Sequence, residues 1–478
     1  MNGPAASTEF PLAAAFEAPE RGEWLALVER TLKGAPLASL TRRTLEGLEI
    51  APLYEPSRPA PAPARSRRGW DVRTLVRASD PDEANREVLE DLAGGAQSVL
   101  LRLDPTGAHG VAAASPEALA RVLDGVVLEV AQVALDAGFL AAQAADWLAA
   151  AARGAPAARL ALHMDPLGAF AATGVSPGPL EAHLAACAGV GARLAEPYPE
   201  ATFFLASGRT AHEAGAGEAA ELALACASAL AYAKALARAG LTAQGAFARI
   251  VLGLAADADC FLVIAKLRAA RILWSKLTGA CGVAAAARIE ARSSARMLTS
   301  ADPWNNMIRL TCAGFAAAVG GADAVVLGAF TDPLGAPTAF ARRQARNAQL
   351  VLEEEASLGR IIDPAAGSAY IETLTDQLAR EAWTRLQTIE AAGGVSRALE
   401  GGLVATWAEL GRTELARRIA ARELKVLGVT DFLAADDSAP ELAATSWRPS
   451  EPHPPELHLP GPESRCPTLA PIRLESLA

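Results

Sequence analysis

Between about residues 80 and 370, short apolar runs alternate with longer segments whose apolar residues recur at helical spacing. The short runs are too uniformly apolar to leave one face in water, which is typical of parallel strands covered by helices. Strands are predicted at 98–103, 125–130, 158–162, 202–206, 283–291 and 324–327. Helices are predicted at 115–123, 137–152, 216–238, 258–277, 305–319 and 339–354.

This alternation fits two α/β folds, a closed (β/α)₈ barrel (TIM barrel) and an open doubly wound sheet. No Gly-x-Gly-x-x-Gly pattern follows the first predicted strand, which argues against an open dinucleotide-binding sheet. The barrel is therefore the favoured fold, and on these grounds alone the open sheet remains the alternative.

The segment before the barrel has its own composition. Residues 1–68 are predicted to form an N-terminal arm and a linker. Within the arm, 21–32 has the spacing of a helix, with Trp24 and Leu25 on its apolar face. Residues 56–67 are rich in Pro and Ala, so this linker is expected to be extended.

The barrel and its trailing helices are predicted to occupy residues 69–435. The last long helix is expected to start with Thr375 as its cap and to stop at the pair Gly393 and Gly394. Residues 436–478 are rich in Pro and predict an irregular tail, either strapped over the surface or loose.

Charge and hydropathy exclude two classes of partner. The net charge is −10, and the basic cluster of Arg65, Arg67 and Arg68 is too small for a nucleic-acid footprint. That cluster is interpreted as a solvated loop, with phosphate binding as the alternative. The most apolar stretch, 222–236, is interrupted by Lys234 and predicts a buried helix instead of a membrane span.

Cysteine spacing and the N-terminus indicate the compartment. None of the six cysteines forms a Cys-x-x-Cys pair, so neither a zinc site nor a redox motif is expected. Glu9 and Glu17 stand where a secretion signal would have a basic region and an apolar run. We therefore expect a cytoplasmic protein without a metal.

Barrel enzymes work from the C-terminal ends of their strands. The most charged of these turns, 207–215, holds Arg209, His212 and Glu213, which suit anion binding and proton transfer. The alternative is a helix cap with Glu213 in the first turn and His212 as a bystander. His163, after another predicted strand, is expected to be a hydrogen-bonded core or rim residue.

A family resemblance is carried by six colinear segments: LEGLEIAPLY (45–54), GWDVR (69–73), IAKLRAARILW (264–274), LTSADPWNNMIRLT (298–311), PTAFARRQARNAQLVLEEE (337–355) and IIDPAAGSAYIETLTDQLA (361–379). In order and spacing they resemble the methylmalonyl-CoA mutase family over roughly residues 40–430. The resemblance implies a (β/α)₈ barrel threaded by an acyl-CoA. It also implies a Rossmann-like domain that holds cobalamin through a DxHxxG histidine, and in many bacteria a heterodimer of a large catalytic and a small related subunit.

One departure from the family pattern lies in the charged turn. Catalytic members read approximately GYHMQEAGA there, and the Tyr and His touch the reacting thioester and the approach of the cofactor. Here Arg209 and Thr210 stand at those two positions. His212 comes two positions late, about 200° further round a helix, and is not expected to substitute. The resemblance therefore implies a degenerate site at Arg209 and Thr210, with residual barrel-mouth positions Ser207, Gly208, His212 and Glu213.

Two other family features are missing. The loop that resembles RGxxPTMY, whose Tyr closes on the radical pair, corresponds to residues 56–64, which contain no Tyr. The nearest string to DxHxxG is 456–461, in the Pro-rich tail, and only residues 462–478 follow it. We interpret that string as a coincidence and expect no cobalamin-binding Rossmann-like domain.

Together these departures resemble the small, non-catalytic subunits of the family. The expected role is to stabilise a large subunit that carries adenosylcobalamin and converts (R)-methylmalonyl-CoA to succinyl-CoA, with no cofactor on this chain. Arg209 is further hypothesised to fill the former substrate tunnel. Residues 1–45 either wrap the partner, anchored by Trp24 and Leu25, or pack on their own barrel. Two alternatives remain: an active acyl-CoA mutase barrel that uses a separate B12-binding chain, and a CoA-ester-binding regulator.

Overall fold

The computed structural model describes residues 20–55, 64–65, 67–433, 439–444 and 457–478. The chain divides into two compact units, Met1–Tyr54 and Glu55–Ala478. The predicted linker at 56–67 therefore lies mostly outside the described residues.

The smaller unit contains the predicted arm helix. Helix α1 spans Arg21–Thr31 and begins with a capping box between Glu20 and Glu23. A 3₁₀ turn and a short antiparallel pair follow, at Leu37–Leu40, Arg42–Arg43 (β1) and Glu49–Ile50 (β2). The prediction of a helix at 21–32 is confirmed, and none of the described α1 residues is buried within the unit.

In the described part of the larger unit, eight parallel strands close into a barrel. Their bounds are β3 Asp71–Val76, β4 Ser98–Arg102, β5 Gln132–Asp136, β6 Leu160–Met164, β7 Thr202–Ser207, β8 Ile250–Ala256, β9 Ile289–Ser293 and β10 Ala324–Val326. The order around the barrel is β3 to β10 in sequence, and β10 pairs with β3 to close it. The (β/α)₈ prediction is confirmed, and the open sheet is excluded.

Helices surround the barrel and continue after its last strand. Those up to β10 are α2 Pro81–Ala93, α3 Pro116–Val122, α4 Ala141–Ala151, α5 Pro166–Thr173, α6 Leu180–Leu194, α7 Arg209–Glu213, α8 Glu218–Arg238, α9 Ala243–Phe247, α10 Cys260–Ala280 and α11 Asn305–Val319. Those beyond β10 are α12 Ala339–Leu350, α13 Ala369–Ala391, α14 Val395–Glu400 and α15 Leu403–Ala420.

The strand predictions at 98–103, 202–206 and 324–327 are confirmed to within a residue at each end. Two others are displaced. The strand predicted at 158–162 begins two residues later, and of 283–291 only the last three residues belong to β9. Strand β6 begins at Leu160 because its pairing with β5 begins there, with Leu160 opposite Val133.

The strand predicted at 125–130 is wrong. This segment is a turn, in which the side chains of Val127 and Val130 are 59% and 71% exposed, and Gly125 has a φ of 76°. The actual strand lies just after this turn, at β5. Its end residues Gln132 and Asp136 are polar because they face other polar groups inside the barrel. Strands β3 and β8 were not predicted at all.

Two helix predictions also need correction. Helix α13 is capped by Ser368, and Thr375, the predicted cap, is a buried residue within it. The helix predicted at 339–354 is α-helical as far as Leu350 and continues as a π-helical turn over Val351–Glu355. The predicted stop of α13 at the Gly393–Gly394 pair is confirmed to within a residue or two.

Helix α8 meets the length and hydropathy of a membrane span, but most of its apolar window is buried inside the barrel protein. The prediction of a buried helix at 222–236 is confirmed. The solvated-loop interpretation is wrong for Arg65, which is buried and donates to the carbonyl oxygens of Ala318 and Ile361.

The end of the described chain, 457–478, is a strap that crosses the C-terminal side of the barrel. Its backbone bonds to α5 through Cys466 and Leu469, and to the segment after β7 through Ile472, whose N–H donates to the carbonyl of Glu213. The carboxylate of Glu475 accepts bonds from the backbone and hydroxyl of Ser300. The tail is therefore strapped to the surface in this part, which is one of the two predicted alternatives.

Leu469→Ala is expected to loosen the strap, because Leu469 is 3% exposed and fixes it against α5. A buried Leu→Ala change costs about 2 kcal/mol at the low end, which raises the open population about 30-fold. Limited proteolysis read by mass spectrometry should then show faster cleavage within 457–478. Leu410→Ala, at an exposed position of α15, is the control; equal cleavage rates in the two variants would contradict the prediction.

Candidate functional site

The inside of the barrel is crossed by charged side chains. Arg73 on β3 donates to Asp71, to Ser98, to Gln132 on β5 and to Glu290 on β9. Strands β3 and β9 are separated by β10, so a bond between their side chains has to pass through the barrel interior.

Arg292 extends this chain of charges to the opposite wall. Its Nε donates to Glu290 at 2.6 Å, and its Nη1 donates to Asp136 on β5 at 2.9 Å. Strands β9 and β5 are four positions apart in either direction around the barrel, so this bond spans its full width. We call Asp71, Arg73, Asp136, Glu290 and Arg292 the lumen network.

Mutual compensation keeps the lumen network charged. Burial would raise the pKa of Glu290, but nearby charges, led by Arg292, hold that pKa well below its usual range. His163 lies on β6, with its Nδ1 3.7 Å from Glu290, and has a φ of 45°. Burial lowers the pKa of His163 to about 4, so the ring is neutral at pH 7. His163 is thus buried in the core, as predicted, but its Nδ1 has no hydrogen-bond partner among the described residues.

The charged turn after β7 begins with a close approach of two backbones. Ser207 ends the strand, and its Oγ accepts a bond from the N–H of Arg209. A Cβ on Gly208 would lie 2.0 Å from the carbonyl oxygen of Glu221 on α8. Gly208 is therefore required by the packing of this turn against α8.

His212 is fully buried behind the turn, on a different side from Arg209. Its Nε2 lies 3.0 Å from the Oγ of Ser294, and its Nδ1 lies 3.4 Å from Glu221. Glu221 in turn pairs with Lys266 at 2.6 Å. The side chain that was interpreted as a bystander is therefore part of a buried polar cluster between α7, α8 and α10.

Glu213 is the last residue of α7, so its predicted place in the first turn of a helix is wrong. Its carboxylate accepts bonds from the hydroxyl of Ser294 and from the backbone N–H groups of Ala295 and Arg296. Glu213 holds the loop after β9 in place, which is a structural role.

The ligand atoms of His212, Glu218 and Asp257 come close enough together to suggest a metal site. Arg296 lies against both carboxylates, 3.2 Å from Asp257 and 3.8 Å from Glu218. His212 also turns a different nitrogen toward each carboxylate. A cation would have to displace Arg296, so we interpret this group as a charge network.

Arg209 and Thr210 lie at the barrel mouth, both partly exposed. Arg209 lies 3.6 Å from Glu213, and its charge acts on Asp136 and Arg292 of the lumen network. The structure thus brings Arg209 to the mouth of the lumen and places His212 behind it, as the helical spacing predicted.

The lumen network was not predicted from the sequence. Its signal is nevertheless present in two short segments, DVRTLV (71–76) and IEARS (289–293), where charged residues occupy alternate positions of buried strands. Alternate positions face the same side of a strand, so such a pattern indicates a charged barrel interior.

The described residues do not fit an adenosylcobalamin reaction site in this barrel. An acyl-CoA threaded along the axis would meet the Arg292–Asp136 bond, which spans the interior. His458, in the string that most resembles DxHxxG, lies in the irregular strap and follows no strand.

Comparison with known proteins assigns the fold to a family. A family model described as methylmalonyl-CoA mutase matches residues 57–449. The chain is 42% identical to a methylmalonyl-CoA mutase small subunit of Streptomyces virginiae, over 88% of this chain and 71% of that protein. A small subunit from Propionibacterium freudenreichii subsp. shermanii is 36% identical, over 89% and 70%. A methylmalonyl-CoA mutase of Escherichia coli is 29% identical, over 80% and 60%.

Acid is expected to weaken the fold through the buried cluster behind the turn. Burial raises the pKa of Glu221, but Lys266, His212 and the N–H of Ala255 together outweigh burial and bring that pKa to about 2. The pKa of a Glu side chain in the unfolded chain is about 4.3. The ionised Glu221 therefore contributes about 3 kcal/mol to the free energy of unfolding above pH 4.3, and this stabilisation is lost as the pH falls toward 2. Urea unfolding from pH 6 to 2.5 would measure it; in Glu221→Gln the decline should be shallower, and an equal slope would contradict the assignment.

Proposed function

Because the chain belongs to the methylmalonyl-CoA mutase family, we propose that it is the small subunit of a heterodimeric, adenosylcobalamin-dependent methylmalonyl-CoA mutase. In this proposal a large subunit binds substrate and cofactor and interconverts (R)-methylmalonyl-CoA and succinyl-CoA. The present chain runs no reaction of its own and stabilises the large subunit. The observation that carries the proposal is the Arg292–Asp136 bond across the barrel, where an acyl-CoA would have to pass.

The lumen network supports a non-catalytic role for physical reasons. A thioester and its pantetheine chain need a continuous passage, whereas here ion pairs join β3 to β9 and β9 to β5 across the interior. Opening that passage would separate the buried charges of Arg73 and Glu290, which is strongly unfavourable in the protein interior. The earlier hypothesis that Arg209 fills the tunnel is therefore extended: the deeper filling consists of Arg73, Glu290 and Arg292.

The mouth of the barrel supports the same role. Arg209 and Thr210 stand where the resemblance calls for a Tyr and a His. A guanidinium and a short hydroxyl provide neither an aromatic ring nor an imidazole to the reacting thioester. His212 cannot replace them, because its ring is fully buried against Ser294 and Glu221.

The arm supports the existence of a partner. In α1 the side chains of Trp24, Leu25 and Val28 share one helical face, and none of them is buried within the smaller unit. An apolar face with a Trp anchor suits a protein interface, in which aromatic residues contribute much of the binding energy. A partner that binds only the folded chain also stabilises it by mass action.

The test is to purify this chain alone, the large mutase chain of the same organism alone, and the two together. We expect methylmalonyl-CoA turnover and adenosylcobalamin binding in the mixture, with one cobalamin per heterodimer, and neither activity in this chain alone. Turnover by the isolated chain would overturn the proposal. In Trp24→Asp we expect loss of co-purification, whereas Arg209→Ala should leave co-purification unchanged and should not create acyl-CoA binding.

A further inference from the structure

The barrel mouth gathers three guanidinium groups around one carboxylate. Arg292 donates to Asp136 at 2.9 Å, and the Nε of Arg102 lies 3.9 Å from the same oxygen. Arg209 is the third, close enough for its charge to act on both Asp136 and Arg292. One guanidinium group therefore bonds to this carboxylate, and two more lie near it at the rim of the lumen.

Two of these guanidinium groups have buried N–H groups without an acceptor. Within the described residues, neither the Nη2 of Arg292 nor the Nε of Arg209 has a hydrogen-bond partner, although both atoms are inaccessible to solvent. The Arg292 side chain is only 9% exposed. Leaving a buried charged donor unsatisfied is unfavourable, and a bound anion is one way in which such a donor can be satisfied.

Glu213 does not accept a hydrogen bond from the guanidinium group of Arg209. The two lie 3.6 Å apart, beyond good hydrogen-bond length, and the Glu213 oxygens already accept from Ser294, Ala295 and Arg296. Burial and the charge of Arg292 lower the pKa of Arg209. Arg209 is thus a cation held near another cation without adequate compensation.

We propose that the barrel mouth binds a small monocarboxylate between Arg209 and Arg292. Guanidinium groups present planar pairs of N–H donors that match the two oxygens of a carboxylate. A singly charged ligand satisfies the two free donors. A doubly charged phosphate would be repelled by Asp136 and Glu213, which lie beside the same arginines.

This inference goes beyond the proposed subunit role and does not depend on it. The groups concerned all belong to this chain, so binding is expected in the isolated protein and in the heterodimer alike. If the chain does not bind a large mutase chain, the carboxylate site is unaffected. If it does not bind a carboxylate, the proposed subunit role is unaffected.

The test uses ¹³C-labelled acetate at pH 7.5, followed by NMR against sodium chloride of equal ionic strength. We expect saturable binding with a Kd on the order of 1 mM, and binding at least about tenfold weaker in Arg209→Gln. Arg43→Gln, at an exposed ion pair of the arm, is the control and should bind like the unmodified chain. Inorganic phosphate is expected not to displace acetate.

Three results would overturn the proposal. They are the absence of saturable acetate binding, equal binding in Arg209→Gln, and displacement of acetate by phosphate at equal ionic strength. The first would mean that water alone satisfies the free donors. If Arg209→Gln does not fold, Arg209→Lys provides the test, because it keeps the charge and removes the planar pair of donors. Acetate affinity should then fall below that of the unmodified chain, and unchanged affinity would count against the site.

Discussion

Glu221→Gln is expected to lower the free energy of unfolding by about 3–5 kcal/mol. Glu221 and Lys266 are both fully buried, and their charges lie 2.6 Å apart. The amide cannot balance the ammonium group, which then remains as an uncompensated charge in the interior. Glu221 also accepts the backbone N–H of Ala255 on β8, so its loss disturbs a barrel strand as well.

A double variant separates the charge from the packing. Glu221→Gln combined with Lys266→Met removes both charges and should recover a large part of the lost stability, since replacing both members of a buried pair is often tolerated. Glu423→Gln, at the exposed partner of Arg417, is the control and should not change the urea midpoint measurably. The single variant Lys266→Met completes the comparison. If the double variant lost as much stability as the two single variants lose together, the two charges would not interact.

Glu290→Gln is the second change with a large expected effect, again about 3–5 kcal/mol. Glu290 is fully buried and accepts from both Arg73 and Arg292, so neutralising it leaves two guanidinium groups facing each other in the lumen. Because these side chains join β3 to β9, we expect loosened barrel closure, visible as faster amide exchange in both strands.

The comparison for this variant is Glu49→Gln in the arm, where Arg43 and Glu49 form an exposed pair. No measurable loss is expected there, because solvent screens such pairs. Similar unfolding midpoints for Glu290→Gln and Glu49→Gln would show that the lumen network does not hold the barrel together.

The architecture was largely accessible from the sequence, but single strands were not. The alternation of apolar runs and helical spacing predicted the barrel correctly. Strand β8, IVLGLAA, was missed because a short run of Ala, Leu and Gly cannot be told from a buried helix by its period. The apolar run at 125–130 was mistaken for the strand that follows it, because β5 has polar ends that face the lumen.

The candidate site was accessible only in part. The family resemblance located the altered turn at Arg209 and Thr210, and helical geometry correctly placed His212 on another side. Alternate charged positions in two strands indicate a charged barrel interior, but the pairings within the lumen network could not be foreseen, because its bonds join residues 156 and 217 positions apart. Such pairs become neighbours only once the barrel has closed.

The strap at 457–478 also has a consequence for how the protein folds. It bonds to residues as many as 298 positions earlier, since the N–H of Leu469 donates to the carbonyl of Ala171. Contacts of such long sequence separation form late, because the intervening chain must first become ordered. During synthesis every barrel strand leaves the ribosome before the strap does, so we expect the strap to bind to a barrel that has largely formed. The side of the barrel that the strap crosses is therefore expected to be the last region of the fold to be completed.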